Sequence, residues 1–185
     1  MSNLHILGIC GSLRAKSHNR TLLNYAAAKL PDGVTLSIAD LSDVPFFNSD
    51  IVTKPAAVEQ LLTEFAKADA LWFACPEYNY SIAPALKNAL DWASREPNNH
   101  LLAGKAAAMM GAGGGMGTRR AQYHLRQVGV YLDLHFVNKP EVFVNAFAPT
   151  SFDADGLLVD TRIQQSIEAQ CLALVQLAMQ LKKII

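Results

Sequence analysis

Short apolar runs alternate with longer helical patterns along this chain of 185 residues. Runs typical of strands occupy residues 4–10, 34–39, 70–75 and 105–111. Strands that alternate with helices form βαβ units, in which a parallel sheet carries helices on both faces. Because no linker, repeat or low-complexity segment divides the pattern, the sequence predicts a single α/β domain over residues 1–185.

The helices between these strands are predicted from apolar side chains that recur at the spacing of one helix face. They are expected at residues 21–30, 56–67, 84–94, 117–129 and 161–181. A fifth strand falls within residues 135–144, where Pro140 interrupts it because proline has no N–H to donate to a neighbouring strand.

The charge balance restricts what the protein binds. Lys and Arg together number 16, as do Asp and Glu, so the net charge is near zero. This argues against broad electrostatic attraction to nucleic acid or to an anionic membrane. No apolar run reaches the roughly 20 residues of a membrane span, and the first residues lack the features of a signal peptide. We therefore expect a cytoplasmic protein that binds neither nucleic acid nor membrane.

Side chains that form disulfides or bind metals show no suitable arrangement. Cys10, Cys75 and Cys171 include no C-x-x-C pair, and we interpret them as buried free thiols. The five histidines are scattered without the spacing of metal ligands, so we expect no metal site.

The loop after the first strand, residues 11–20, is rich in hydroxyl, amide and basic side chains. In open parallel sheets, ligands bind at the carboxyl ends of the strands, and free N–H groups at a helix start favour an anion. Ser12, Ser17 and Asn19 can add hydrogen bonds there, and Arg14 can add charge. Ser17 or Asn19 can also cap the next helix, but a cap does not explain the whole cluster. We interpret the loop as a phosphate site.

Two further loops at the same edge are candidates for a ligand site. Residues 76–84 hold two tyrosines, an amide and a carboxylate, which suit a heterocycle or a rigid turn equally well. Residues 111–118 hold five glycines, which let the backbone approach a ligand closely, although a merely flexible loop has the same composition. The position of the glycines between a strand and a helix favours binding.

Several stronger motifs are missing from the sequence. It contains no G-x-x-x-x-G-K-[ST] motif, and no G-x-G-x-x-G follows the first strand, which excludes a P-loop and the usual dinucleotide fingerprint. Ser12 does not lie in G-x-S-x-G, so the nucleophile elbow of a hydrolase is absent.

Three motifs stand out together: G-S-L-R-x-x-S-x-N-R after the first strand, P-E-Y-N-Y-S with L-K-N-A-L-D-W-A-S-R after the third, and the glycine-rich loop after the fourth. Together they resemble the NADPH-dependent FMN reductase family, whose members include quinone, chromate and azo-dye reductases. The resemblance spans residues 6–140, with the motifs in the family's order and spacing. It implies a flavodoxin-like three-layer sandwich, five parallel strands in the order 2-1-3-4-5, and tightly but non-covalently bound FMN.

The resemblance also implies which residues bind the cofactor. Ser12, Arg14, Ser17 and Asn19 would bind the FMN phosphate. The isoalloxazine ring would be lined by residues of the second and third loops, namely Pro76, Glu77, Tyr78, Asn79, Ser81, Gly113 and Gly114.

The activity that the resemblance implies is hydride transfer from NADPH or NADH through the flavin to a quinone, free flavin, azo compound or chromate. Because the flavin carries the chemistry, no catalytic side chain is assigned. A guanidinium suits the 2′-phosphate of NADPH, and the candidates are Arg14, Arg119 and Arg120, of which the last two can also be a solvated helix face.

Family members are usually homodimers or homotetramers. The helix that carries Leu86, Leu90 and Trp92 is a candidate interface, and packing into the core explains the same apolar face.

Two other functions remain open at this point. A flavodoxin-like electron carrier shares the fold but is typically acidic, and the neutral composition argues against it. A flavin-free binding or regulatory domain can use the same scaffold, because a fold alone does not determine function.

Overall fold

A computed structural model describes residues 3–182 of the chain. Its strands, in chain order, are Leu4–Cys10 (β1), Val34–Ile38 (β2), Ala70–Ala74 (β3), Glu77–Tyr78 (β4), Ser81–Ile82 (β5), Ala106–Gly113 (β6), His135–Phe136 (β7) and Val142–Asn145 (β8). Its α-helices are His18–Ala27 (α1), Ala56–Lys67 (α2), Pro84–Ala93 (α3), Arg119–Tyr131 (α4) and Thr161–Lys182 (α5).

The central sheet is parallel, and its strands have the order β2-β1-β3-β6-β7, with β8 also paired to β6. The predicted flavodoxin-like order is therefore confirmed. Strand β7 pairs with Ala106 and Ala107, and β8 pairs with residues 110–113 of the same strand. The two segments together fill the fifth position, and the chain loops away from β6 between them. The predicted interruption around Pro140 is confirmed.

Apolar side chains cover both faces of the sheet. In β3, Leu71 and Phe73 belong to the cluster beneath α2, α3 and α4, whereas Trp72 and Ala74 belong to the cluster beneath α1 and α5. Successive residues of a strand point to opposite faces, so a strand with helices on both sides has to be apolar throughout. The result is the predicted three-layer sandwich.

A buried hydrogen bond connects α5 to the middle of the sheet. The indole Nε1 of Trp72 donates to Gln170 Oε1 at 2.8 Å, and Gln170 Nε2 donates to the carbonyl oxygen of Pro140 at 2.7 Å. Both polar groups of this glutamine are thus satisfied inside the core, as buried polar groups require. The same side chain holds the interrupted edge of the sheet against α5.

The start of α1 differs from the prediction. The helix begins at His18 rather than at residue 21, because Ser17 is its N-cap and accepts a hydrogen bond from the backbone N–H of Arg20 at 3.4 Å. The interpretation of Ser17 as a helix cap is therefore correct.

The apolar face of α3 lies inside the protein. Leu86 is 0% exposed, Leu90 1% and Trp92 3%, and all three pack in the cluster beneath α2, α3 and α4. These three side chains are already buried within the chain, so they do not themselves indicate a subunit interface, and the prediction that α3 takes part in one is not tested. The alternative of core packing is correct.

The three cysteines are free and buried, as predicted. Burial raises the pKa of the Cys75 thiol to about 12 and that of Cys171 to about 11, so both stay protonated and unreactive near neutral pH. Among the helices in residues 3–182, none is long and apolar enough to cross a membrane.

Gly111 at the end of the sheet tests this packing. A Cβ at this position would overlap Thr118 Oγ1 and the carbonyl oxygen of Cys75. We expect Gly111→Ala to lower the free energy of unfolding by about 3 kcal/mol, as overpacking a close backbone contact does. Gly115→Ala is the matched control, because a Cβ there meets nothing within 4 Å. Urea unfolding of both variants without cofactor measures the difference, and equal midpoints would contradict the packing described.

Candidate functional site

The loops at the carboxyl ends of β1, β3 and β6 meet around one cavity of about 400 Å³. This volume lies in the range of roughly 300–1,000 Å³ that is usual for small-molecule sites. The cavity brings together most of the residues predicted from the sequence, namely Ser12, Arg14, Ser17, Asn19, Pro76, Glu77, Tyr78, Gly113 and Gly114. Asn79 and Ser81 are not part of its lining.

The first loop presents hydroxyl groups and a helix start to the cavity. Ser12 and Ser17 are buried, whereas Arg14 is exposed at the cavity's rim. The first N–H groups of α1 have no partner within the helix and carry its positive dipole end. An anionic group is therefore favoured at this end of the cavity.

Asn19 joins the first loop to the third. Its Nδ2 donates to the carbonyl oxygen of Ala112 at 2.8 Å, and its Oδ1 accepts from the N–H of Ala112 at 2.9 Å. Asn19 is 5% exposed, and both polar atoms of its carboxamide form hydrogen bonds with the backbone of Ala112 in β6. Asn19 thus fixes the start of α1 beside the glycine-rich loop.

The second loop is a tight hairpin of β4 and β5. Its two turn residues, Asn79 and Tyr80, have φ angles of 49° and 68°. Two left-handed residues between short antiparallel strands suit the right-handed twist of a hairpin, and asparagine tolerates this backbone region well. Ser81 lies within 3.1 Å of His124 Nδ1 on α4. Asn79 and Ser81 therefore shape and anchor the hairpin rather than line the cavity.

Glu77 connects this hairpin to the start of α4. Its carboxylate accepts hydrogen bonds from the backbone N–H groups of Arg120 at 3.0 Å and Ala121 at 3.2 Å. It also pairs with the Arg120 guanidinium, at 2.8 Å from Nε and 2.7 Å from Nη2. The cap residue of α4, Thr118, makes no side-chain capping bond. A carboxylate from a distant loop thus caps α4, and its negative charge interacts favourably with the positive end of the helix dipole.

The arginines proposed for a 2′-phosphate are differently placed. Arg120 is held by Glu77, and its guanidinium lies 3.7 Å from the centre of the Tyr80 ring. Arg119 donates to the carbonyl oxygen of Met116 at 2.8 Å and lies over Phe143. Within residues 3–182, Arg14 forms no ion pair. Of the three, Arg14 is the guanidinium that is both exposed and at the cavity.

The two glycines predicted to approach the flavin differ in what the fold requires. A Cβ on Gly113 would come within 2.8 Å of the carbonyl oxygen of Gly117, so the turn itself needs glycine there. A Cβ on Gly114 would meet nothing within 4 Å, although Gly114 lines the cavity. The absence of a side chain at Gly114 therefore has no packing reason.

The segment after β8 closes one side of the cavity, which the sequence did not indicate. Ala146 and Phe147 line it, and Phe147 is 83% exposed. Further along, the Phe152 ring stacks on His18 with ring centres 4.1 Å apart. Burial, and then the charge of Arg14, lowers the pKa of His18, so that its imidazole is mostly neutral at pH 7. No motif marks this segment, so only its fold reveals it.

The composition of the cavity fits FMN. One end offers hydroxyl groups, a helix start and Arg14, which suit a phosphate. The other end offers Pro76, Tyr78 and the side-chain-free backbone of Gly114, which suit a flat aromatic ring. A phosphate joined to a planar heterocycle matches both ends.

Comparisons with known proteins agree with this geometry. The family model for NADPH-dependent FMN reductase matches residues 4–149. An NAD(P)H:quinone oxidoreductase of Solanum tuberosum is 52% identical over 186 residues, which cover 97% of this chain and 95% of that protein. An NAD(P)H-dependent FMN reductase of Pseudomonas aeruginosa is 47% identical over 175 residues, covering 93% of this chain and 94% of that protein.

A solved structure has the same fold. FerB, a flavoenzyme NAD(P)H:(acceptor) oxidoreductase of Paracoccus denitrificans, superposes with a TM-score of 0.86 at 26% identity, covering 96% of this chain and 98% of that one. The family match and the close relatives agree with the three motifs. This chain belongs to the NADPH-dependent FMN reductase family.

Proposed function

We propose that this protein is an FMN-dependent oxidoreductase that passes hydride from NADPH or NADH to a quinone or a similar small acceptor. The observation that carries the proposal is the cavity at the carboxyl edge of the sheet, where Ser12, Ser17 and the start of α1 meet Pro76, Tyr78 and Gly114. The relatives named as quinone oxidoreductase and FMN reductase favour an enzyme over an electron carrier. In the net reaction, NADPH, a proton and a quinone give NADP⁺ and a hydroquinone.

Different residues of the cavity bind the phosphate and the ring of FMN. Ser12, Ser17 and the start of α1 hold the FMN phosphate, and Arg14 at the rim adds positive charge. Pro76, the backbone of Glu77, the Tyr78 ring and Gly114, which line the cavity, would hold the isoalloxazine. Bound FMN supplies the acceptance and release of hydride.

Other predicted residues act through the fold. Asn19 positions the phosphate loop against β6. Asn79 forms the hairpin turn that carries Tyr78, and Ser81 anchors that hairpin to α4. Gly113 allows the tight turn of the third loop. We assign no catalytic acid or base, because the protein's part is to bind, orient and enclose the reactants.

The donor and the acceptor would reach the bound cofactor through the cavity's exposed rim, where Arg14 lies. We propose that Arg14 binds an anionic part of NADPH, since Arg119 and Arg120 are engaged within the chain. Donor and acceptor use the same position in turn, so oxidised pyridine nucleotide leaves before the acceptor binds.

We further propose a single cytoplasmic FMN-binding domain over residues 1–185 that assembles as a homodimer or homotetramer. The three free thiols support a reducing compartment. Both core clusters share one sheet, which supports one domain. Tyr123, Val130 and Tyr131 are exposed on α4 and offer an apolar surface for a second copy.

Steady-state kinetics test the proposed reaction. With the purified protein and added FMN, we expect NADPH oxidation that requires a quinone and saturates at one FMN per chain. Because donor and acceptor share one position, double-reciprocal plots at several quinone concentrations should be parallel. Anaerobic assays remove the background of oxygen. Bound flavin with no NADPH oxidation under any acceptor would instead identify an electron carrier.

Two neighbouring glycines test the cofactor site. Gly114 and Gly115 are both exposed, and a methyl group added at either position would meet no atom within 4 Å, but Gly114 lines the cavity and Gly115 does not. We expect Gly114→Ala to weaken FMN binding about tenfold, a loss of roughly 1.4 kcal/mol, because the methyl group holds the ring away from the backbone.

Gly115→Ala should leave FMN affinity unchanged, and both variants should unfold at the same urea concentration as the original protein. Fluorescence titration of the protein with FMN measures the affinities. Equal affinities in the two variants would contradict the placement of the ring beside Gly114.

A further inference from the structure

A second cavity of about 620 Å³ lies beside the first. Arg14 and Tyr78 line both cavities, so the two spaces meet at these side chains. The second cavity is lined mostly by apolar groups, from the first loop, from the connection between β2 and α2, and from the start of α3. The cofactor cavity does not extend to the β2–α2 connection, and no sequence motif marks it.

The outer wall of this cavity is fixed by buried side chains of α3. Asn88 Oδ1 accepts from the N–H of Phe47 at 2.8 Å, and Asn88 Nδ2 donates to the carbonyl oxygen of Pro45 at 2.9 Å. Trp92 Nε1 donates to the same carbonyl oxygen at 2.8 Å. Segment 44–47 has no regular secondary structure, yet its backbone is held on both sides of Phe46.

The Phe46 side chain buries little of its apolar surface in the fold. It lines the cavity while 75% of it remains exposed, between two neighbours whose backbones are fixed. An exposed large aromatic side chain on a rigid apolar wall is typical of a ligand surface. Phe46 is therefore held at the cavity rather than packed into the core.

The lining residues also indicate which kind of ligand the cavity favours. Leu13, Leu41, Val44 and Phe46 form an apolar part of the lining that has no hydrogen-bonding side chain, whereas Arg14, Ser42 and Asn88 supply its polar part. At the apolar part a hydrated anion would lose its water without compensation. A planar hydrocarbon gains from leaving water at the same place. The continuity with the cofactor cavity at Tyr78 means that such a molecule also reaches the reductase site.

We infer that this second cavity binds the hydrocarbon part of a quinone acceptor, with Phe46 as a specificity-determining residue. The inference rests on the proposed function and adds to it a preference: fused-ring or alkyl-substituted quinones are bound better than compact or anionic acceptors. The quinone enters with its apolar part against segment 44–46 and its carbonyl-bearing ring toward Tyr78, which also lines the cofactor cavity.

The experiment compares Phe46→Ala with Val52→Ala, both in the FMN-loaded protein. Val52 is the matched control, because it lies on the same connection, is 94% exposed and does not line the cavity. The acceptors are a 1,4-naphthoquinone and ferricyanide. Calorimetric titration of the oxidised protein with the naphthoquinone, without NADPH, gives its binding constant independently of turnover.

For Phe46→Ala we expect the dissociation constant and the KM for the naphthoquinone to rise about tenfold, as the loss of about 1.4 kcal/mol of apolar contact produces. The KM for ferricyanide and the reduction of the flavin by NADPH should not change. Val52→Ala should match the original protein in every measurement.

Unchanged naphthoquinone binding in Phe46→Ala would overturn the inference. So would a rise in the KM for NADPH alone, which would assign the cavity to the donor. Either result can occur with intact flavin reduction, so the inference can fail while the proposed function stands. Absence of FMN or of flavin reduction in the original protein would be a failure of the function itself.

Discussion

The carboxylate of Glu77 is buried at the start of α4, and the geometry of the site depends on it. It accepts two backbone N–H groups of the helix and pairs with Arg120, whose guanidinium in turn lies over Tyr80. A helix cap alone contributes about 1 kcal/mol, and the Glu77 side chain is only 7% exposed, so removing Arg120 would leave its charge without a partner. Glu77 thus fixes the second loop to α4, the helix that follows the third loop.

Asn19 connects the first loop to the end of β6 through two hydrogen bonds with Ala112. The cofactor cavity exists because Glu77 and Asn19 hold three separate loops in one arrangement.

The fold could be predicted from local patterns because each pattern has one structural solution. An apolar run such as that of β3 is stable only when helices cover both faces, and its residues do divide between the two core clusters. Pro140 marks the break between β7 and β8 because it cannot donate to β6. The start of α1 was less predictable, since both Ser17 and Asn19 are good caps, and only the hydrogen bond to Arg20 decides between them.

The site was only partly predictable, because its contacts join residues far apart in the chain. The motifs identify the loops, but they do not show that Asn19 binds Ala112 or that Glu77 caps α4, which lies 43 residues further on. An apolar helix face has the same sequence pattern whether it packs in the core or against another subunit. The spacing of Leu86 and Leu90 therefore could not assign them to the core, where the structure places them. Phe46 and Phe147 belong to segments without regular pattern or motif, and their place beside the cavities follows from the fold alone.

An anaerobic absorption spectrum tests the central claim that this chain holds FMN and reduces it with pyridine nucleotide. The protein is loaded with FMN, freed of unbound flavin, and mixed with one equivalent of NADPH before a quinone is added. We expect the visible flavin bands to disappear with NADPH and to return with the quinone. A protein that retains no FMN, or whose flavin bands NADPH leaves unchanged, would contradict the claim.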